Sequence, residues 1–83
     1  MSPWRILIVD DDRLTIALLS RAINDLGLVE VAGNGHEALL RLQTKALPNL
    51  ILLDAMMPGL SGFEVCSQLK ADPKLAHIPI IFV

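Results

Sequence analysis

The sequence predicts an α/β fold, a parallel sheet with helices on both faces, and three observations point to it. First, Ile6–Val9, Leu50–Leu53 and Ile78–Val83 are short, almost wholly apolar runs. Runs of four to six such residues without polar alternation suit strands buried on both faces. Second, the stretches between them carry apolar residues at helical spacing, bounded by capping and turn residues. Third, two of the runs end in acids, Asp10-Asp11-Asp12 and Asp54. Strands that alternate with helices imply right-handed crossovers and parallel pairing. Eighty-three residues allow one small domain, residues 1–83, with a thin core.

Taken in order, Ile6–Val9 is the first strand. Arg13 to Leu26 is helical, with Leu14, Leu18 and Ala22 forming one i, i+4 row and Leu19, Ile23 and Leu26 the next. Asp12 is its expected N-cap and Gly27 its expected C′ residue. Leu28 to Ala32 fits an edge strand with Glu30 turned to solvent. Gly33-Asn34-Gly35 makes a turn. His36 to Lys45 is a short helix with Ala38, Leu39 and Leu42 inward, and His36 is expected in solvent. Leu47-Pro48-Asn49 breaks this helix and feeds the strand Leu50–Leu53. After it, Met57-Pro58-Gly59 forces a turn and Ser61-Gly62-Phe63-Glu64 matches a capping box. The helix that follows runs to about Ala71, with Phe63, Val65 or Cys66, and Leu69 inward, and ends at Asp72-Pro73. Cys66 reads as a small core residue. Lys74 to His77 is a loop or one loose turn, and His77 reads as solvated. Ile78 to Val83 is the fourth strand.

Composition narrows the function classes. The net charge of −2 offers no basic footprint for nucleic acid. A single cysteine excludes an internal disulfide and suits a reducing compartment. No apolar run approaches the ~18 residues of a membrane span. Met1 to Arg5 leads into only four apolar residues before the aspartates, which is no signal peptide. A cytoplasmic location is expected. The apolar share, 53%, is high for so short a chain and suggests a core made to be covered by further protein.

Parallel strands bring their C-terminal ends to one edge, where open α/β sheets bind ligands. If the first and third strands are neighbours, Asp10, Asp11 and Asp54 converge there. Alone, Asp54 also reads as a loop carboxylate that caps a turn. Clustered carboxylates repel and raise at least one pKa. A hard divalent cation removes that penalty, and Mg²⁺ leaves room for phosphate oxygens. Such a site suits phosphoryl transfer to a carboxylate.

These residues together resemble the receiver domain of two-component response regulators. The matching stretches are Ile6 to Asp12, Ala32 to Leu39, Leu50 to Asp54 with Met57-Pro58 and Gly62, and Ile78 to Ile81. The D-x-x-M-P-x-x-x-G spacing behind an apolar strand is specific, and the resemblance spans the whole chain. It implies a flavodoxin-like (CheY-like) doubly wound parallel sheet of order 2-1-3-4-5, here incomplete as 2-1-3-4. It implies Asp54 as phosphoacceptor from a histidine kinase or phosphotransfer protein. It implies Mg²⁺ ligated by Asp11, Asp54 and the backbone carbonyl of Met56, with Asp10 acting mainly through a metal-bound water. The domain is a signalling module and not an enzyme.

The departures from the pattern matter as much. The family's hydroxyl residue follows the fourth strand, and its lysine ends a fifth; neither lies among these 83 residues. Lys45, Lys70 and Lys74 lie in or beside helical segments and are not assumed to replace that lysine. The fourth helix and last strand–helix unit are also outside the sequence. Two expectations follow for the 83-residue chain. Phosphorylation is slow or undetectable, and an apolar fourth-strand edge drives homo-oligomer formation. Two other readings stay open. One is a non-catalytic, self-assembling fragment or designed half-domain. The other is a haloacid-dehalogenase-type phosphatase, because Asp10-x-Asp12 follows an apolar strand; Leu14 stands where such motifs carry Thr or Val, and the later motifs are absent.

Overall fold

The computed structural model describes residues 4–83. The stretch Met1 to Arg5, expected to be no signal peptide, falls at residues 1–3 outside the described residues. Four strands form one parallel sheet in the order β2-β1-β3-β4. They are β1 (Trp4–Val9), β2 (Gly27–Ala32), β3 (Leu50–Leu53) and β4 (Ile80–Phe82). The helices are α1 (Arg13–Ile23), α2 (Gly35–Thr44) and α3 (Gly62–Ala71). None is long and apolar enough to cross a membrane.

Of the three apolar runs, those of β1 and β3 are central, while that of β4 lies at an edge of the sheet. Residues Ile6 to Val9 of β1 and Ile51 to Leu53 of β3 are all buried, whichever face they point to. Leu7, Val9, Ile51 and Leu53 meet Ala38, Leu42, Val65 and Leu69 of α2 and α3. Ile6, Ile8 and Leu52 lie on the opposite face with Ile16, Leu19 and Ile23 of α1. The N-caps of α1 and α3 come from the expected residues, Asp12 and Ser61, and α2 takes Asn34 of the expected turn. Asp12 accepts from the Leu14 N–H, Asn34 from the Glu37 N–H, and Ser61 and Glu64 close a full capping box.

The structure corrects several details. The row Leu14–Leu18–Ala22 of α1 faces outward; the inward row is Ile16–Leu19–Ile23. Both stripes are apolar, and only one can meet a sheet face. Gly27 is no C′ residue. A 3-10 turn, Asn24–Leu26, tightens the end of α1, and Gly27 is already the first residue of β2. There a Cβ would collide with the Trp4 carbonyl oxygen on the neighbouring strand. Glu30 is half-buried instead of solvated, with Arg41 Nη2 at 3.2 Å and Arg5 Nη1 at 3.8 Å. Phe63 is 59% exposed, with its ring 5.1 Å from that of Phe82. Val65 and Leu69 fill the inward face of α3, and Cys66 packs partly buried against the same core, as expected of a small core residue. The fourth strand is shorter than Ile78–Val83, because Ile78 is buried in the turn that precedes it.

Candidate phosphoacceptor site

Register explains how the acids meet. Val9 of β1 pairs with Leu53 of β3, so the next residues, Asp10 and Asp54, leave adjacent strands at the same rim. The backbone holds them there. Asp54 N–H donates to the Val9 carbonyl at 2.9 Å, and Asp10 N–H to the Ala32 carbonyl at 3.1 Å. Asp10, Asp11 and Asp54 each bring a carboxylate oxygen to a common point, all within 4.8 Å of one another. His36 and His77 are exposed and lie outside this group, as expected for solvated residues.

The three carboxylates sit in different surroundings. Asp10 is 3% exposed, Asp54 half-buried and Asp11 exposed. Burial pushes the Asp10 carboxyl above the ordinary aspartate range, and the nearby Asp54 and Asp11 add to the push. The Asp12 N–H, which donates to Asp10 Oδ1 at 2.9 Å, pulls the other way. Asp12 itself turns to α1, accepting from Leu14 N–H and Thr15 Oγ1. The Met56 N–H donates to Asp54 Oδ1 at 3.0 Å and so orients the carboxylate, while the Met56 side chain stands in solvent.

The loop behind Asp54 is fixed by four residues of the motif. Met57 is buried in the α2/α3 core. Gly59 takes φ +74°, a conformation L side chains rarely adopt. Ser61 caps α3. At Gly62 the N–H donates to the Ala55 carbonyl at 3.1 Å, and a Cβ would collide with the Asp54 carbonyl oxygen. Gly35, at the start of α2, is a supporting residue that motif reading alone left without a role. A Cβ there would lie 2.7 Å from Val65 and 3.0 Å from the Leu60 carbonyl, so only glycine lets α2 approach this loop unshifted. The signal for it was present in the Gly33-Asn34-Gly35 turn, but the crowding is tertiary.

The donor set suits a hard cation: three carboxylate oxygens, with no sulfur or imidazole. Burial first, and the neighbouring Asp54 and Asp11 second, disfavour the charged form of the Asp10 carboxyl, a cost that a bound cation would relieve. Lys70, by contrast, is engaged at the other end of α3, where its Nζ donates to the Ala76 and Ile78 carbonyls.

The family model for the response regulator receiver domain matches residues 6–83. Response regulator PleD of Caulobacter vibrioides is 42% identical over 95% of this chain, which spans 17% of its length. The phosphorylated cyanobacterial phytochrome response regulator RcpA superposes with a TM-score of 0.92 at 30% identity, covering 98% of this chain and 64% of that one. The Mn²⁺-bound form of response regulator Rcp1 gives 0.88 at 29% identity, over 96% of this chain and 64% of that one. The 83 residues therefore cover about two thirds of these solved chains and less than a fifth of PleD. By its sheet order, its motif and its relatives, the chain belongs to the response regulator receiver domain family.

Proposed function

We propose that Asp54 is the phosphoacceptor, taking a phosphoryl group from the phosphohistidine of a histidine kinase or phosphotransfer protein. The observation that carries this reading is the meeting of Asp10, Asp11 and Asp54 at one rim, where a carboxylate can attack beside a cation site. An Asp54 oxygen forms the new P–O bond as the P–N bond to the donor imidazole breaks and its electron pair returns to nitrogen. Met56 N–H holds the attacking carboxylate in place. Asp11, Asp54 and the Met56 carbonyl would hold Mg²⁺, with Asp10 acting mainly through a bound water. When bound, that ion offsets charge on the phosphoryl oxygens and relieves repulsion among the three acids.

In this reading residues 1–83 belong to one receiver domain acting in the cytoplasm. Incubation with a small phosphodonor and Mg²⁺, followed by intact mass and peptide mapping, tests the assignment. Labelling confined to Asp54 and absent from Asp54→Asn supports it. Label that survives Asp54→Asn contradicts it.

A second reading, self-association of the isolated chain through β4, is favoured by one observation. Ile81, Phe82 and Val83 are all exposed, on both faces of an edge strand. Such an edge pairs readily with another chain. Sedimentation at micromolar concentration should give a multiple of the 9.1 kDa chain mass, and a stable monomer would exclude this.

A further inference from the structure

The connection from α3 to β4 is compact and centred on two charged side chains. Asp72 ends α3: its carbonyl accepts from the Leu75 and Ala76 N–H groups, and its Oδ1 from the Lys74 N–H at 2.9 Å. Leu75 and Ile78 are buried beneath this turn. Across it lies Lys70, in the last turn of α3. Its Nζ donates to the Ala76 carbonyl at 3.0 Å and the Ile78 carbonyl at 3.4 Å. Immediately beyond, the Pro79 carbonyl accepts the Ile51 N–H at 3.0 Å, which starts the β3–β4 pairing. The same pairing closes with Val83 N–H on the Leu53 carbonyl.

We propose that Lys70 is a charged clamp that sets where β4 begins, so that neutralising this one ammonium releases the strand while leaving the acidic rim in place. The physical case has three parts. β4 is only three residues long, so the hydrogen bonds just before it weigh heavily in fixing its leading end. A cation near a helix C-terminus is favoured by the helix dipole, and this one also donates to two carbonyls of the following turn, those of Ala76 and Ile78. Hydrogen bonds from a charged donor are stronger than neutral ones. Neither the hydroxyl–lysine chemistry of the rim nor the Asp54 loop takes part, because Lys70 acts at the opposite end of α3 from Ser61 and Gly62.

Amide hydrogen exchange on the 83-residue chain tests the clamp. In Lys70→Gln, exchange at Ile51 and Val83 should rise about tenfold, the size expected for losing one charge-assisted bond. Exchange at Asp10, whose N–H pairs on the other side of β1, should stay unchanged. Lys70→Arg keeps the charge and should retain wild-type exchange. Lys74→Gln, which leaves the Lys74 backbone bond intact, should also match wild type. The proposal is overturned if Lys70→Gln leaves Ile51 and Val83 unaltered, if it raises Asp10 equally, or if Lys70→Arg or Lys74→Gln reproduces its effect.

Discussion

The two faces of the sheet are unequal. Among the described residues, twelve buried hydrophobic residues form one cluster with α2 and α3, and three form the cluster under α1. The first face has two helices, the Met57 anchor and the Leu75–Ile78 turn over it. The second has one helix, whose outer stripe leaves Leu14 66% and Leu18 59% exposed, and beyond that helix Ile81 and Val83 stand open. The difference teaches where stability and site geometry reside. The loop that carries Asp54 is anchored into the full face through Met57 and Gly62, whereas Asp10 to Asp12 lead into α1 over the thin one.

The largest effect should come from opening the full face. Leu53→Ala, at a position with no exposure, should lower stability by about 2–5 kcal/mol. A small domain has roughly 5–15 kcal/mol in all, so urea unfolding should show a much lower midpoint or no folded baseline. A midpoint close to that of the unmodified chain would break the comparison.

Gly62→Ala comes next. The added methyl meets the Asp54 carbonyl oxygen, so the loop must shift, at a cost of about 1–3 kcal/mol. The same shift should weaken divalent-cation binding, read by calorimetry. Undiminished binding would mean that Gly62 does not hold the Asp54 loop.

Asp10→Asn sharpens the contrast between the rim and the core. The Asp10 carboxyl is raised in the folded chain, chiefly by burial, so the unfolded chain releases this proton first. Its stabilising contribution is complete below the unfolded aspartate pKa and is lost as pH rises through the folded one. Thermal melts without divalent cation should therefore fall from acid toward neutral pH in the unmodified chain. They should fall less in Asp10→Asn, which should be the more stable at neutral pH. Equal pH profiles would contradict the charge-crowding account.

The smallest effect belongs to the outer stripe of α1. Leu18→Ala should change stability by no more than about 0.5 kcal/mol, because the side chain is already largely in water. A loss comparable to that of Leu53→Ala would show that this stripe is covered in solution.

Much of this arrangement could be read in the residues. An apolar run followed directly by an acid places the acid at a strand end, and parallel pairing then decides which acids share a rim. Caps at Asp12 and Ser61 are local chemistry and were equally plain. What stayed hidden is tertiary. Two neighbouring apolar stripes on α1 look alike until a sheet chooses Ile16–Leu19–Ile23. Phe63 looks like core until β4 takes its ring at the edge. Glu30 looks solvated until two arginines from other elements reach it. Gly35 matters only because α2 passes close to Leu60 and Val65.

If Asp10, Asp11 and Asp54 act together as one cation site, Mn²⁺ titration of the 83-residue chain, with free ion followed by electron paramagnetic resonance, should reveal it. One ion per chain is expected, displaced by Mg²⁺ and lost in both Asp11→Asn and Asp54→Asn while Glu30→Gln binds normally. Binding that persists unchanged in both aspartate variants would contradict the account.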